Sequence, residues 1–331
     1  MHLKITVILC ALYFFTVAKS TGLNEKQINV FVETIKKIKY SKVAGGDQIF
    51  RQMSVQLMLS LSYTDFNETF PYTIDINDKT APGYLMDLAV MDKGTDDWKV
   101  KCFTSQEVNL FVIMFITADQ KKKIPQGLLT QHMLRNLIDA QLKLETGIKE
   151  KIKKEFKDGE LINAPKFLAA IVKHKPVGRG LNVEQVMKCI DLYNNHLDGD
   201  GCIKSEEIIK IYEKLNIVTN IYNYQVAFES KRPAALDVQE LLIVLADYNN
   251  EVKENESGVL SSKAVRDISW EFKKLDKNKD GVIGKPEIIK IVENLNLNVM
   301  DSIKTALDHD GAKPKNIAEF FLLILSALNR F

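Results

Sequence analysis

Asp276-Lys277-Asn278-Lys279-Asp280-Gly281-Val282-Ile283-Gly284-Lys285-Pro286-Glu287 is the stretch on which the reading of this 331-residue chain turns. Asp276, Asn278 and Asp280 each offer a side-chain oxygen, and Glu287 offers two. Val282 adds a backbone carbonyl, and Gly281 permits a sharp turn with positive φ. Ile268, Phe272 and Leu275 form the inward stripe of a helix that leads in. Pro286 falls in the first turn of a helix that leads out, where its missing N–H costs nothing. Only oxygen donors converge here, and a flexible ring of six to eight oxygens is what a hard cation takes.

Position for position, this stretch resembles the calcium loop of the EF-hand family. The resemblance implies Asp276, Asn278 and Asp280 as ligands at loop positions 1, 3 and 5, and the Val282 carbonyl at position 7. It implies a water over Gly284 at position 9 and a bidentate Glu287 at position 12. Ile283, at position 8, is expected in the short strand that ties one helix-loop-helix unit to its partner.

The chain repeats itself. Glu207-Ile208-Ile209-Lys210-Ile211 recurs as Glu287-Ile288-Ile289-Lys290-Ile291, at an offset of 80, and Glu240-Leu241-Leu242 answers Glu319-Phe320-Phe321 at 79. A repeat of this length holds two helix-loop-helix units, each of which must bury an apolar helix face against the other. Amphipathic helices are expected to begin near Asn24, Ser105, Asn182 and Ser262, separated by 81, 77 and 80 residues. The first three have Glu or Gln close behind, a helix-start signature that Ser262 lacks. The expected fold is all-α, with four tandem EF-hand-like pairs of about 79 residues, most of their loops degenerate. The boundaries are a signal peptide at 1–20 and pairs at 21–100, 101–177, 178–252 and 259–331. The segment His174-Lys175-Pro176-Val177-Gly178-Arg179-Gly180 reads as a linker, as do Asp92–Lys101 and Asn249–Gly258.

The other loops depart from the family's ligand pattern. The matching loop of the third pair runs from His196 to Glu207, with Asp198, Asp200 and Cys202 between them. Gly201, Ile203 and Glu207 fit positions 6, 8 and 12, but His196 stands where the family has aspartate. A second register starts the loop at Asp198, after a stripe of Ile190, Tyr193 and Leu197. In either register one carboxylate is missing, so weak calcium binding or none is expected from Asp198, Asp200, Cys202 and Glu207. A transition-metal site of His196, Asp198 and Cys202 is the other reading, against a plain surface histidine. Glu229–Glu240 carries Lys231, Arg232 and Pro233 where oxygens belong. The loop at Asp308-His309-Asp310-Gly311 continues with Lys313 at position 6, then Pro314 and Lys315. Lys121, Lys122 and Lys123 occupy ligand positions in the second pair, and the first pair offers Asp75, Asn77 and Asp78 without a matching glutamate. These loops are expected to act as structural halves, with Val238 and Ile317 in the cross-loop strands.

Composition adds a compartment. Ile5 to Val17 is an apolar run of 13 residues after a weakly basic start, and Ala18-Lys19-Ser20 is a small-x-small cleavage site. The run is too short to span a bilayer comfortably, and no later segment is longer, so the mature chain is expected to be secreted or luminal, without a membrane span. Cleavage removes Lys4 and Lys19 from the 45 basic residues, leaving them equal in number to the 43 acidic ones. That balance speaks against a high-capacity calcium store and gives no sign of nucleic-acid binding. Cys102, Cys189 and Cys202 remain, an odd number, which leaves a free thiol or an intermolecular bond. Asn67 and Asn255 open glycosylation sequons.

The function expected is calcium binding at one strong site, as a structural strut or as a sensor for another protein. The alternative is a helical interaction scaffold in which calcium is incidental. Only Met187 and Met300 occur in the last two pairs, which argues against a methionine-lined groove. No phosphate loop, nucleophile elbow or zinc-protease helix is present to suggest an enzyme.

Overall fold

Gly-Leu-Asn occurs twice, at 22–24 and at 180–182, and each copy opens one half of the molecule. The computed structural model describes residues 22–40, 77–91, 102–196, 205–218, 238–249, 258–278 and 280–329. They form two compact units, 22–175 with 216–218, and 176–215 with 238–329. The first holds β1 (Leu23–Asn24), α1 (Glu25–Tyr40), α2 (Ala81–Met91), β2 (Cys102–Phe103), α3 (Ser105–Gln120), β3 (Leu128–Thr130), α4 (Gln131–Gln141), α5 (Thr146–Lys154), β4 (Leu161–Asn163) and α6 (Ala164–Lys173). The second holds α7 (Val183–Asn195), α8 (Ser205–Lys214), α9 (Val238–Tyr248), α10 (Ser262–Leu275), β5 (Val282–Ile283), α11 (Lys285–Asn294), α12 (Met300–His309), β6 (Lys315–Asn316) and α13 (Ile317–Leu328). The described residues are therefore mostly helical, with strands of only two or three residues.

Helix starts follow local chemistry closely. Asn24 and Gln27 exchange side-chain-to-backbone bonds at 2.8 and 2.9 Å. Thr104 and Glu107 do the same at 3.2 and 2.8 Å, and Asn182 and Gln185 at 3.0 and 2.9 Å. Each is a reciprocal box that satisfies two N–H groups otherwise orphaned at a helix start. Ser261 accepts only the Ala264 N–H, at 3.2 Å, since no acid or amide follows it. The caps are thus Asn24, Thr104, Asn182 and Ser261, within one residue of the expected starts.

The two units share one plan. Ahead of its helices each unit ties two chain segments together: Leu23 pairs with Phe103 and Asn24 with Cys102, and Leu181 bridges Leu260. The preceding glycines are required there. A Cβ on Gly22 or Gly180 would stand 1.8 Å from the Phe103 or Leu260 carbonyl oxygen, and both residues have positive φ, +76° and +93°. Inside each unit the helices that are apolar on all sides take the centre, as such helices must. In the first, α2 packs on α3 and α6, and α1 lies along α6. In the second, α9 packs on α10 and α13, and α7 lies along α13. Phe115 meets Phe167 at 5.8 Å between ring centroids, and Phe272 meets Phe320 at 6.3 Å, in corresponding places.

Short strands join neighbouring loops. Leu129 faces Ile162 in the β3–β4 pair, and Ile283 faces Lys315 in the β5–β6 pair. Ile283 is therefore in a cross-loop strand as expected, but Ile317 is not. It opens α13 one residue after the cap Asn316, and Val238 likewise opens α9. Both are buried or half-buried as the first residues of apolar helices, which is where their apolar side chains reach the core. Residues 216–218, placed by sequence within the third pair, pair with the first unit: Val218 bridges Leu142, and Ile217 O accepts the Lys143 N–H at 3.2 Å.

The segment 174–180 spans the division between the two units, with Val177 77% exposed and other residues packed down. Lys175 is 4% exposed, and a Cβ on Gly178 would meet the Ala246 carbonyl oxygen at 2.2 Å. Cys102 and Cys189 are buried, and burial pushes the Cys189 pKa upward. No helix among the described residues is long and apolar enough to cross a membrane. The expected signal peptide, the sequons at Asn67 and Asn255, Trp98 and Cys202 lie outside the described residues.

Candidate metal site

The loop 276–287 hangs between α10 and α11. Asp276 ends α10, its N–H bonded to Phe272 O at 2.9 Å. Its Oδ2 turns into the loop and accepts the Gly281 N–H at 3.0 Å, with Gly281 at φ +78°. Asp280 Oδ1 accepts the Val282 N–H at 3.1 Å, and its Oδ2 accepts from Asn278 Nδ2 at 2.8 Å. Glu287 stands in the first turn of α11, and its Oε2 lies 3.1 Å from where a Cβ on Gly284 would be. A Cβ at Gly284 would press that carboxylate by a few tenths of an ångström. Lys279 lies outside the described residues.

Every side-chain donor in the loop is an oxygen, with no thiol or imidazole, so the donor set suits a hard cation such as calcium. Asp276 and Asp280 are held in place by backbone N–H groups. The three carboxylates are not drawn together, however: among the described residues no three His, Cys, Asp or Glu side chains are gathered closely enough to hold a metal ion. The inward-turned Asp276 and the all-oxygen donor set are the features that fit the ion.

The partner loop is managed differently. Lys285 reaches across to Asp308, and Lys315 pairs with Asp310. The Lys315 ammonium holds the Asp310 carboxyl below the usual carboxylate range. Ammonium groups thus already sit on both acids of this loop.

His196 caps the end of α7 just as Asp276 caps the end of α10. That correspondence favours the register that begins at His196. Its Nδ1 is 2.7 Å from Leu192 O, and its Nε2 is 3.8 Å from Glu207 Oε2. Glu207 is bound by Lys210, whose hydrogen bond holds the carboxyl below its usual range. Asp198, Asp200 and Cys202 lie outside the described residues.

Lysines also hold the acids between α5 and β4. Lys166 pairs with Glu160. Burial alone would raise the Glu160 pKa, but Lys166 and the Lys157 N–H outweigh it and lower the value. Glu155 behaves likewise: burial raises its pKa, and bonds from Lys173 and His174 more than reverse this. Ahead of α2, Asp75 lies outside the described residues, Asn77 Oδ1 accepts the Lys79 N–H at 2.9 Å, and Asp78 Oδ1 accepts from Asn163 Nδ2 at 3.0 Å.

A pH dependence follows. Glu155 and Glu160 have pKa values lowered from 4.5 by folding. Their stabilising contribution is fully present above 4.5 and is lost as pH falls through the lower folded values. Each pair is partly exposed, so its contribution is held to about 1 kcal/mol or less. Thermal unfolding in chelator should therefore be flat above that pH, and the first unit should lose roughly 2–4 °C per kcal/mol below it. An unchanged midpoint down to about pH 3 would remove these pairs from the account.

Lys122 is not legible as a partner because lysine runs ordinarily mark solvated faces, and Lys166, Lys175 and Lys285 are not because nothing adjacent in sequence marks the acids they meet. No protein-family model matches this chain, and neither a curated protein nor a solved structure matches it.

Proposed function

We propose that this chain is a calcium-binding protein built from EF-hand-like helix-loop-helix pairs, with one site at Asp276–Glu287. The observation that carries the reading is an all-oxygen loop whose first carboxylate accepts the N–H of its sixth residue, Gly281. The β5–β6 pairing with the neighbouring loop supports it. Asp276, Asn278, Asp280, the Val282 carbonyl and Glu287 would hold the ion. In a secreted chain, extracellular sites of this type work near ~10⁻⁴–10⁻³ M calcium, so the ion serves as a strut that is mostly in place.

The second reading is a helical interaction scaffold for another protein, in which calcium is incidental. The lysines on Asp308, Asp310, Glu207 and Glu160 favour it, because those loops already carry their counter-charge. Calorimetric titration of the chelator-treated chain with calcium separates the two. The first reading expects one binding event of near-unit stoichiometry. A flat titration up to about 10 mM, beyond the extracellular range, would sink it in favour of the scaffold.

A further inference from the structure

We propose that the loop between α3 and α4 is a cation site filled by the chain's own Lys122, whose ammonium group takes the place a metal ion would have.

The argument starts from the turn at Gly127. Asp119, in the last turn of α3, is 5% exposed, and its Oδ2 accepts the Gly127 N–H at 2.7 Å. Gly127 has φ +73° and is followed by Leu128, Leu129, the cap Thr130 and α4. In the loop 276–287, Asp276 Oδ2 accepts the Gly281 N–H at 3.0 Å, and Gly281 is followed by Val282, Ile283, the cap Gly284 and α11. From the glycine onward the two loops match residue for residue. Before it they differ: eight positions separate Asp119 from Gly127, and five separate Asp276 from Gly281.

The longer arm contains Lys121, Lys122 and Lys123. Lys121 and Lys123 are exposed, and Lys122 turns inward. Its Nζ lies 3.0 Å from Asp119 Oδ1 and donates to the Leu128 carbonyl. Those two acceptors correspond to the Asp276 carboxylate and the Val282 carbonyl. The ammonium therefore bridges the opening acid and the carbonyl after the glycine, which is the task of a cation in such a loop. It is delivered by its own chain and is always present.

A surface ion pair three residues apart on a helix contributes little. This one differs in what depends on it. Asp119 is buried, it anchors the Gly127 turn, and Leu128 is a member of the β3–β4 pair with Asn163. Lysine brings three donors and no acceptor, so it suits a carboxylate and a carbonyl together. The loop is then set without metal, whatever the loop 276–287 binds.

Hydrogen exchange of the full chain tests this, followed in peptides that cover Gly127–Thr130 and Leu161–Asn163. Lys122→Met keeps the stem and deletes the charge. It should exchange at least about tenfold faster in both peptides, a loss of about 1.4 kcal/mol. Calcium or chelator should leave the parent unchanged there. In Lys122→Gly, added methylammonium should restore part of the protection, and methanol at equal concentration should not. If Lys122→Met fails to fold, Lys122→Gln carries the same reading. Exchange within about threefold of the parent would make Lys122 a surface charge, and equal rescue by methanol would make the space a plain void. Either result overturns the proposal.

Discussion

Lys175→Met is expected to destabilise the first unit by about 3–5 kcal/mol, the usual cost of breaking a buried ion pair from one side. The Lys175 and Glu107 side chains are 2% and 0% exposed. Lys175 Nζ lies 2.6 Å from Glu107 Oε1 and 2.7 Å from Oε2, donates to Cys102 O at 2.9 Å, and sits 5.5 Å from the centre of the Phe103 ring. Glu107 Oε2 also accepts the Thr104 N–H at 2.8 Å, so one carboxylate serves both the α3 cap and the ammonium. Methionine fills similar volume and leaves that carboxylate without its counter-charge in a dry site. Removing both charges, as Lys175→Met with Glu107→Gln, should recover much of the loss, because a buried pair and an uncharged replacement are often close in stability. Urea unfolding monitored within residues 22–175 would measure the cycle. A cost under about 1 kcal/mol for Lys175→Met, against the range above, would show that water reaches the pair.

Glu287→Gln is expected to weaken calcium binding at least about 100-fold, or about 2.8 kcal/mol. The variant removes the one group that closes the proposed ring with two oxygens, yet it preserves size and helix start. In the parent, calcium at one hundred times its Kd would stabilise the folded second unit by about 2.7 kcal/mol. Protection against hydrogen exchange should therefore rise with calcium across α10, β5, α11 and β6, much less in residues 22–175, and by no more than about 0.4 kcal/mol in Glu287→Gln at the same calcium concentration. Equal gains in both units would mean that they unfold together. A strong site that survives in Glu287→Gln would place the ion elsewhere. Trp270, half-buried on α10 and six residues before Asp276, offers a second readout by its emission.

Much of this molecule was legible because the bonds that make it are local. Asn24 with Gln27, Asn182 with Gln185, and Asp276 with Gly281 each involve residues three to five apart. Helix starts and the turn of the candidate loop follow from such short spans, whatever surrounds them. The doubling of the plan was also legible in part. Gly-Leu-Asn followed three residues on by Gln, at 22–27 and 180–185, marks it in the sequence, but the 79-residue offset drew attention to single pairs instead.

Charge was the property that only the tertiary structure decided. Lys175 with Glu107 spans 68 residues, Lys285 with Asp308 spans 23, and Lys173 with Glu155 spans 18. Even Lys122, six residues from Leu128, reads in sequence as one of three equivalent lysines. A charged side chain has no preferred partner until packing removes water from one side of it, and local sequence does not say where that happens. The amino-acid sequence therefore determined the helices, their starts and the one all-oxygen loop. Packing decided which lysines are buried and which loops carry an internal counter-charge, since each depends on through-space burial of residues distant along the chain.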